Sequence, residues 1–133
     1  MIDHHPKKCN ICGGPVIYTS NSVIYGREYG SGKCYLCKNC GAYVGTHKPR
    51  PKEAMGLLAD AEMRDLKMRC HALFDLQWKY FKGNREVKRQ QAYKALAEEL
   101  NIPVQDCHFG YFDKDMLLRA FSVLSNKQYS LLG

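Results

Sequence analysis

The chain has 133 residues, 45% hydrophobic and 25% charged, with a formal net charge of +7. That length admits one domain, or a small module fused to a second. No stretch approaches the roughly 18 apolar residues of a membrane span, and the opening Met1-Ile2-Asp3-His4-His5 does not read as a signal peptide. With seven cysteines in such a chain, the expectation is a reducing cytoplasm and no membrane partner.

In chain order, residues up to Lys8 read as a flexible tail, with His4 and His5 solvated. Cys9-Asn10-Ile11-Cys12-Gly13 follows, and after a gap of 24 residues Cys37-Lys38-Asn39-Cys40-Gly41 repeats it. Two residues between cysteines let both thiolates face one ion, and the trailing glycine permits the tight turn because it tolerates positive φ. Four sulfurs close a tetrahedral site with no open position, so Cys9, Cys12, Cys37 and Cys40 are expected to hold a structural Zn2+. Cys34 offers an overlapping pair with Cys37, but only Cys40 precedes a turn-forming glycine, so Cys34 reads as a strand residue.

Between the knuckles, Pro15–Thr19 and Ser22–Gly26 are rich in β-branched and aromatic residues, and Ser20-Asn21 suits a hairpin turn between them. Lys33–Leu36 reads as a third strand entering the second knuckle, and Ala42-Tyr43-Val44 leaves it. The expected architecture is α+β: a zinc ribbon with a three-stranded antiparallel sheet over residues 1–47, a basic linker at 48–52, and a three-helix part over 53–133. A ribbon this small buries too little apolar surface to fold alone, so metal binding supplies much of its folding free energy.

Residues 1–52 carry eight Lys/Arg against two acids, a net of +6, and residues 53–133 a net of +1. Four thiolates with one zinc ion lower the first half to about +4. That asymmetry directs an anionic partner to the ribbon end, with Lys38, Lys48, Arg50 and Lys52 as candidate phosphate contacts and Tyr18, Tyr25, Tyr29, Tyr35 and Tyr43 as candidate stacking surfaces.

The first helix is expected from Glu53 to Phe81, with Met55, Ala59, Met63, Leu66, Cys70, Leu73, Phe74 and Phe81 on its apolar face. Its opposite face aligns Asp60, Arg64, Lys67, His71, Asp75 and Trp78. Trp78 in that stripe suggests that the third helix or the ribbon covers its C-terminal part. Asn84 reads as an N-cap for a second helix over Arg85–Leu100, with Ala92, Tyr93, Leu96 and Leu100 inward. Asp113 reads as the cap of a third, with Met116, Leu117, Ala120, Phe121 and Leu124 apolar and Asn126 as its stop.

His71 and Asp75, four residues apart, can form an Asp-oriented imidazole. With Arg64 and His47 they are the candidate catalytic set, weighed against an ordinary solvated helix face. Cys107-His108 reads as a buried cysteine beside a hydrogen-bonded histidine rather than a second metal site. No phosphate-cradling glycine loop and no carboxylate cluster suited to magnesium is present.

Taken together, Cys9-x2-Cys12-Gly13, Tyr25-Gly26, Cys37-x2-Cys40-Gly41-Ala42-Tyr43-Val44-Gly45-Thr46-His47, Gly56-x-Leu58-Ala59, Arg64, His71-x2-Phe74-Asp75-x2-Trp78, Ala92-Tyr93-x2-Leu96-Ala97 and His108-x-Gly110 resemble a family of small zinc-finger-containing proteins of bacteria, phages and prophages. The chain departs from that family's Pro-x-Gly-like helix entry, having Glu53-Ala54-Met55-Gly56. The resemblance implies a zinc-binding protein of a bacterial or viral cytoplasm, adds weight to His47, Arg64, His71 and Asp75, and implies no reaction. The sequence favours a non-enzymatic nucleic-acid-binding module, DNA or RNA. The alternatives are a protein-binding adaptor or inhibitor acting on host machinery, and a nuclease-like enzyme using His71, Asp75 and Arg64.

Overall fold

A computed structural model describes residues 3–132, with side chains through Asn126. Three short antiparallel strands form one sheet in the order β1 (Val16–Ser20), β2 (Lys33–Cys37), β3 (Tyr43–Gly45). The register sets Val16 opposite Cys37 and Ser20 opposite Lys33, so the second knuckle begins where β1 leaves the first. The Lys38 amide continues the pairing by donating to the Pro15 carbonyl at 3.0 Å.

The expected hairpin at Ser20-Asn21 does not form, and Ser22–Tyr25 is one helical turn, α1, rather than a strand. The cause is the buried Asn21, whose side-chain amide donates to the Tyr29 carbonyl at 2.8 Å and accepts from the Tyr29 amide at 3.1 Å. Its backbone amide reaches the Gly32 carbonyl at 2.9 Å. These bonds fold residues 21–32 into a stapled loop, and β1 takes the more distant β2 as partner. Local β propensity yields here to side-chain bonding.

The segment expected to open the first helix belongs instead to the ribbon. The Tyr43 and Ala59 backbones exchange hydrogen bonds at 2.9 and 3.2 Å, and the Met55 amide donates to Gly45. Ala54 and Leu58 are completely buried with Cys9, Tyr35, Cys37, Ala42 and Val44 in one apolar cluster. Met55, expected inward, is 51% exposed. Asn10 fastens this returning segment to the first knuckle: its side-chain amide donates to the Leu58 carbonyl and accepts from the Leu58 amide, both at 2.9 Å. The N-terminal segment is likewise paired rather than a loose tail, through Ala54 N–H to the His4 carbonyl and Val16 N–H to the Lys7 carbonyl.

Residues 48–52 also fold onto the ribbon. Tyr18 and Tyr35 donate their hydroxyls to the Pro51 and Lys52 carbonyls, and Arg50 pairs with Glu53. The chain divides into compact units at Glu62/Met63.

Helix α2 runs Ala61–Asp75, shorter at both ends than its apolar periodicity suggested, and buries Met63, Leu66, Cys70 and Phe74. Turns follow, and Phe81 is 46% exposed. Helix α3 (Arg85–Leu100) starts where expected, with the Asn84 side chain accepting from the Val87 amide, and ends at Asn101 in the left-handed region. Asp113 caps α4 (Lys114–Leu132) by accepting from the Met116 amide at 2.9 Å. Asn126 does not stop that helix, since an exposed asparagine costs a helix interior only a few tenths of a kcal/mol. Leu96, Leu100, Leu117, Leu124 and Phe74 make up the helical core, and no helix among the described residues is long and apolar enough to cross a membrane.

Replacing Asn10 by Ala removes both bonds of the clamp and leaves the Leu58 amide and carbonyl in need of new partners. We expect a loss of about 1–3 kcal/mol in denaturant unfolding of the metal-loaded protein. Asn10→Asp keeps the acceptor for the Leu58 amide but sets a carboxylate oxygen against the Leu58 carbonyl, so it should not restore the stability lost in Asn10→Ala.

Candidate metal centre and the polar face of the helical unit

Each knuckle turns in the same way. The Gly13 amide donates to the Cys9 carbonyl at 2.9 Å and the Gly41 amide to the Cys37 carbonyl at 3.0 Å. Both glycines lie in the left-handed region, at φ 77° and 82°. Gly14 is required for a different reason: a Cβ there would sit 2.6 Å from the Asn39 Cβ and 3.2 Å from the Sγ atoms of Cys12 and Cys37. It is the point where one knuckle passes beside the other.

The Sγ atoms of Cys9, Cys12, Cys37 and Cys40 all lie within 4.8 Å of one another. Cys12–Cys37 is 3.4 Å and Cys9–Cys40 is 3.7 Å. A tetrahedral zinc with bonds of about 2.3 Å separates its sulfurs by about 3.8 Å, so the residues fit that ion. Backbone amides point at the sulfurs, with Ile11 to Cys9 at 3.4 Å, Gly14 to Cys12 at 3.3 Å, and Asn39 and Cys40 to Cys37 at 3.4 Å. The Asn39 side chain adds a donor to Cys12 at 3.4 Å. Such outer donors stabilise thiolate charge and orient the ligands.

The acid–base behaviour of the sulfurs is consistent with this. The Asn39 side chain, the Gly14 amide and Cys37 pull the Cys12 thiol down to about 6. At Cys40 the Ala42 amide favours the thiolate, yet desolvation and the hydrogen-bonded sulfurs outweigh it and push the thiol up to about 12. Four sulfurs this close cannot all ionise without a cation among them.

The other cysteines stand apart from this chemistry. Cys34 is a buried β2 residue opposite Thr19 and Gly45, and burial alone raises its thiol. Burial likewise pushes Cys70 and Cys107 up to about 11. Among the described residues no second cluster of three metal-ligating side chains forms.

The candidate catalytic residues are distributed over both units. His47 belongs to the ribbon, where its amide donates to the Glu53 carbonyl at 3.1 Å. Arg64, His71 and Asp75 lie on α2 of the helical unit, with Arg64 and Asp75 half-buried. The His71 ring packs edge-on against Phe109 at 4.7 Å between centroids. Desolvation lowers its pKa, Asp75 opposes this as the largest electrostatic influence, and the cationic Lys67 and Arg89 each lower it by less. Sequence reading did not find two α3 contributors to this face, Arg89 and Tyr93. The Arg89 guanidinium lies 5.6 Å from the Trp78 ring and 5.0 Å from the Tyr93 ring. Trp78 is therefore covered by α3, the second of the expected helices, where the third helix or the ribbon was expected, and its buried Nε1–H has no hydrogen-bond partner among the described residues. Tyr93 was legible only as an apolar position on α3, and its hydroxyl accepts from Arg89 at 3.3 Å.

The four proposed phosphate contacts, Lys38, Lys48, Arg50 and Lys52, are all exposed on the ribbon. Of the five tyrosines, Tyr18, Tyr25 and Tyr29 are 41%, 50% and 47% exposed, whereas Tyr35 is buried and offers no stacking face. The charge asymmetry of the sequence does not survive the folded boundary. Residues 1–62 carry a formal net +3, about +1 with four thiolates and one zinc ion, and residues 63–133 a net +4, because Glu53, Asp60 and Glu62 join the ribbon.

One divalent ion per chain should be measured by elemental analysis. Changing any of Cys9, Cys12, Cys37 or Cys40 to Ser should abolish it, while Cys34→Ala and Cys107→Ala retain it. In a histidine NMR titration His71 should show a midpoint below the ordinary value of about 6.5. Asp75→Asn, which removes the opposing pull, should lower it further. A histidine held neutral in this way binds fewer protons folded than unfolded, so its contribution erodes stability as pH falls from about 6.5 through the folded midpoint.

Comparison with curated proteins and with solved structures returned no match. Residues 5–127 match the family model DUF3268, described as a zinc-finger-containing domain. With four paired cysteines closing on one point and a family match over nearly its whole length, the chain belongs to this zinc-finger-containing family.

Proposed function

We propose that the protein is a Zn2+-stabilised, non-enzymatic nucleic-acid-binding module, and that the ribbon contacts single-stranded regions of its target. The observation that carries this reading is an open groove of about 500 Å³ on the ribbon, lined by Asn21, Tyr25, Tyr29, Lys33, Thr46 and Met55 among others. That volume is in the range of ligand sites and admits a nucleotide. Tyr25 and Tyr29 are half-exposed and meet edge to face at 5.5 Å. Arg27 stacks on Tyr29 at 4.8 Å and donates to its hydroxyl at 2.7 Å, which fixes the ring and places a cation beside it. Rings presented with adjacent cations suit unstacked bases and their phosphates.

In this reading Lys33 contacts a phosphate at the groove, and Lys38, Lys48 and Lys52 add contacts outside it. Arg50 contributes less, since Glu53 already neutralises it. Zinc supplies folding free energy and, with every coordination position filled by sulfur, no reaction chemistry.

Fluorescence anisotropy of labelled single- and double-stranded oligonucleotides across a salt series tests the proposal. The zinc-loaded protein should bind single strands with affinity that falls steeply with salt. Tyr29→Ala with Lys33→Ala should weaken binding roughly tenfold or more. Lys48→Ala with Lys52→Ala should reduce the magnitude of the log–log salt slope by about 1.4. Absence of binding at low salt would sink the reading.

A further inference from the structure

The charge of the helical unit is concentrated at one corner. Between residues 79 and 89 stand Lys79, Lys82, Arg85, Lys88 and Arg89, with Glu86 the single acid. The segment that turns from α2 into α3 also carries two large rings in solvent, Tyr80 at 72% and Phe81 at 46% exposed. Exposed rings of this size are costly in a corner that only connects two helices, since each leaves apolar area in water.

The corner has a defined shape. Trp78 and Lys79 amides donate to the Asp75 carbonyl at 3.2 and 2.8 Å, and the Phe81 amide donates to Trp78 at 3.1 Å. Gly83 lies directly against Phe81, so closely that an added Cβ would come within 2.7 Å of the ring. The Lys88 ammonium lies 5.3 Å from the same ring, and the Lys79 ammonium lies 5.6 Å from Tyr80. Each ring is thus paired with its own cation, and the bare Gly83 leaves room for the Phe81 ring beside the backbone. The charge rules out an apolar partner face as the natural occupant, and the rings would be idle against a polyanion that lacks bases.

We infer that this corner is a second nucleic-acid contact surface, in which Lys79, Lys82 and Arg85 neutralise phosphates and Tyr80 and Phe81 stack on unpaired bases. The inference rests on the nucleic-acid reading above and extends it from the ribbon to the helical unit. A single strand is favoured over a duplex because only unstacked bases can reach the rings.

The test uses the full-length zinc-loaded protein, a labelled 20-nucleotide oligodeoxythymidylate and a duplex of equal length, over a salt series. The triple variant K79A/K82A/R85A should bind the single strand at least tenfold more weakly, and its salt slope should be shallower by about 2. Tyr80→Ala should weaken single-strand binding roughly tenfold and leave the slope unchanged. Unaltered zinc content and thermal midpoint would show that both variants are folded. If both bind like the parent while Tyr29→Ala/Lys33→Ala is impaired, the corner is not a contact surface and the ribbon reading stands. A loss in the triple variant with no change in Tyr80→Ala overturns base stacking at the corner. If the parent protein binds neither oligonucleotide at low salt, both readings fall together.

Discussion

Closure of four sulfurs on one point is the constraint around which the ribbon is built. Two knuckles separated by 24 residues must bring their Sγ atoms within 4.8 Å of one another. The glycines that end each turn, the bare Gly14 where the knuckles pass, and the β1–β2 register that sets Cys37 against Val16 all serve that approach. The apolar cluster beneath has seven buried members, and two of them, Cys9 and Cys37, belong to the four-sulfur cluster. A core of that size cannot offset the entropy of ordering some sixty residues, so fold and ion are linked equilibria.

The helical unit rests on different physics. Phe74, Leu96, Leu100, Leu117 and Leu124 are almost completely buried, both α3 and α4 begin at a side-chain cap, and its buried cysteines are inert thiols raised by desolvation. Its stability comes from apolar burial. Polar chemistry is left to the surface, where Lys67, His71 and Asp75 of α2 share a face with Arg89 and Tyr93 of α3. His71 there is kept toward its neutral form by desolvation, helped by the cations Lys67 and Arg89, while Asp75 is the strongest electrostatic pull in the other direction.

Both units carry the same pairing of exposed ring and cation. On the ribbon it is Tyr29 with Arg27, and at the α2–α3 corner Phe81 with Lys88 and Tyr80 with Lys79. The folded boundary at Glu62/Met63 matters for this comparison, because it assigns three acids to the ribbon and leaves the helical unit the more basic. Surface charge is a property of folded units, so its division depends on where each unit ends.

The sequence by itself determined the elements whose signals are local. Two C-x2-C-G repeats named the four cysteines whose sulfurs cluster, Asn84 and Asp113 named two helix starts, and the 3.6-residue period named most of the buried positions of α2, α3 and α4. Only the tertiary structure decided what depends on partners distant in the chain. The β-rich Ser22–Tyr25 became a helical turn because Asn21 bonds eight residues ahead to Tyr29. Residues 54–59, which continue the helical period of α2, became an extended segment bridged to the ribbon because Asn10 and Tyr43 supply hydrogen-bond partners some 48 and 16 residues away. Periodicity reports which side of a segment is apolar, and it carries no information about which backbone will satisfy that segment's hydrogen bonds.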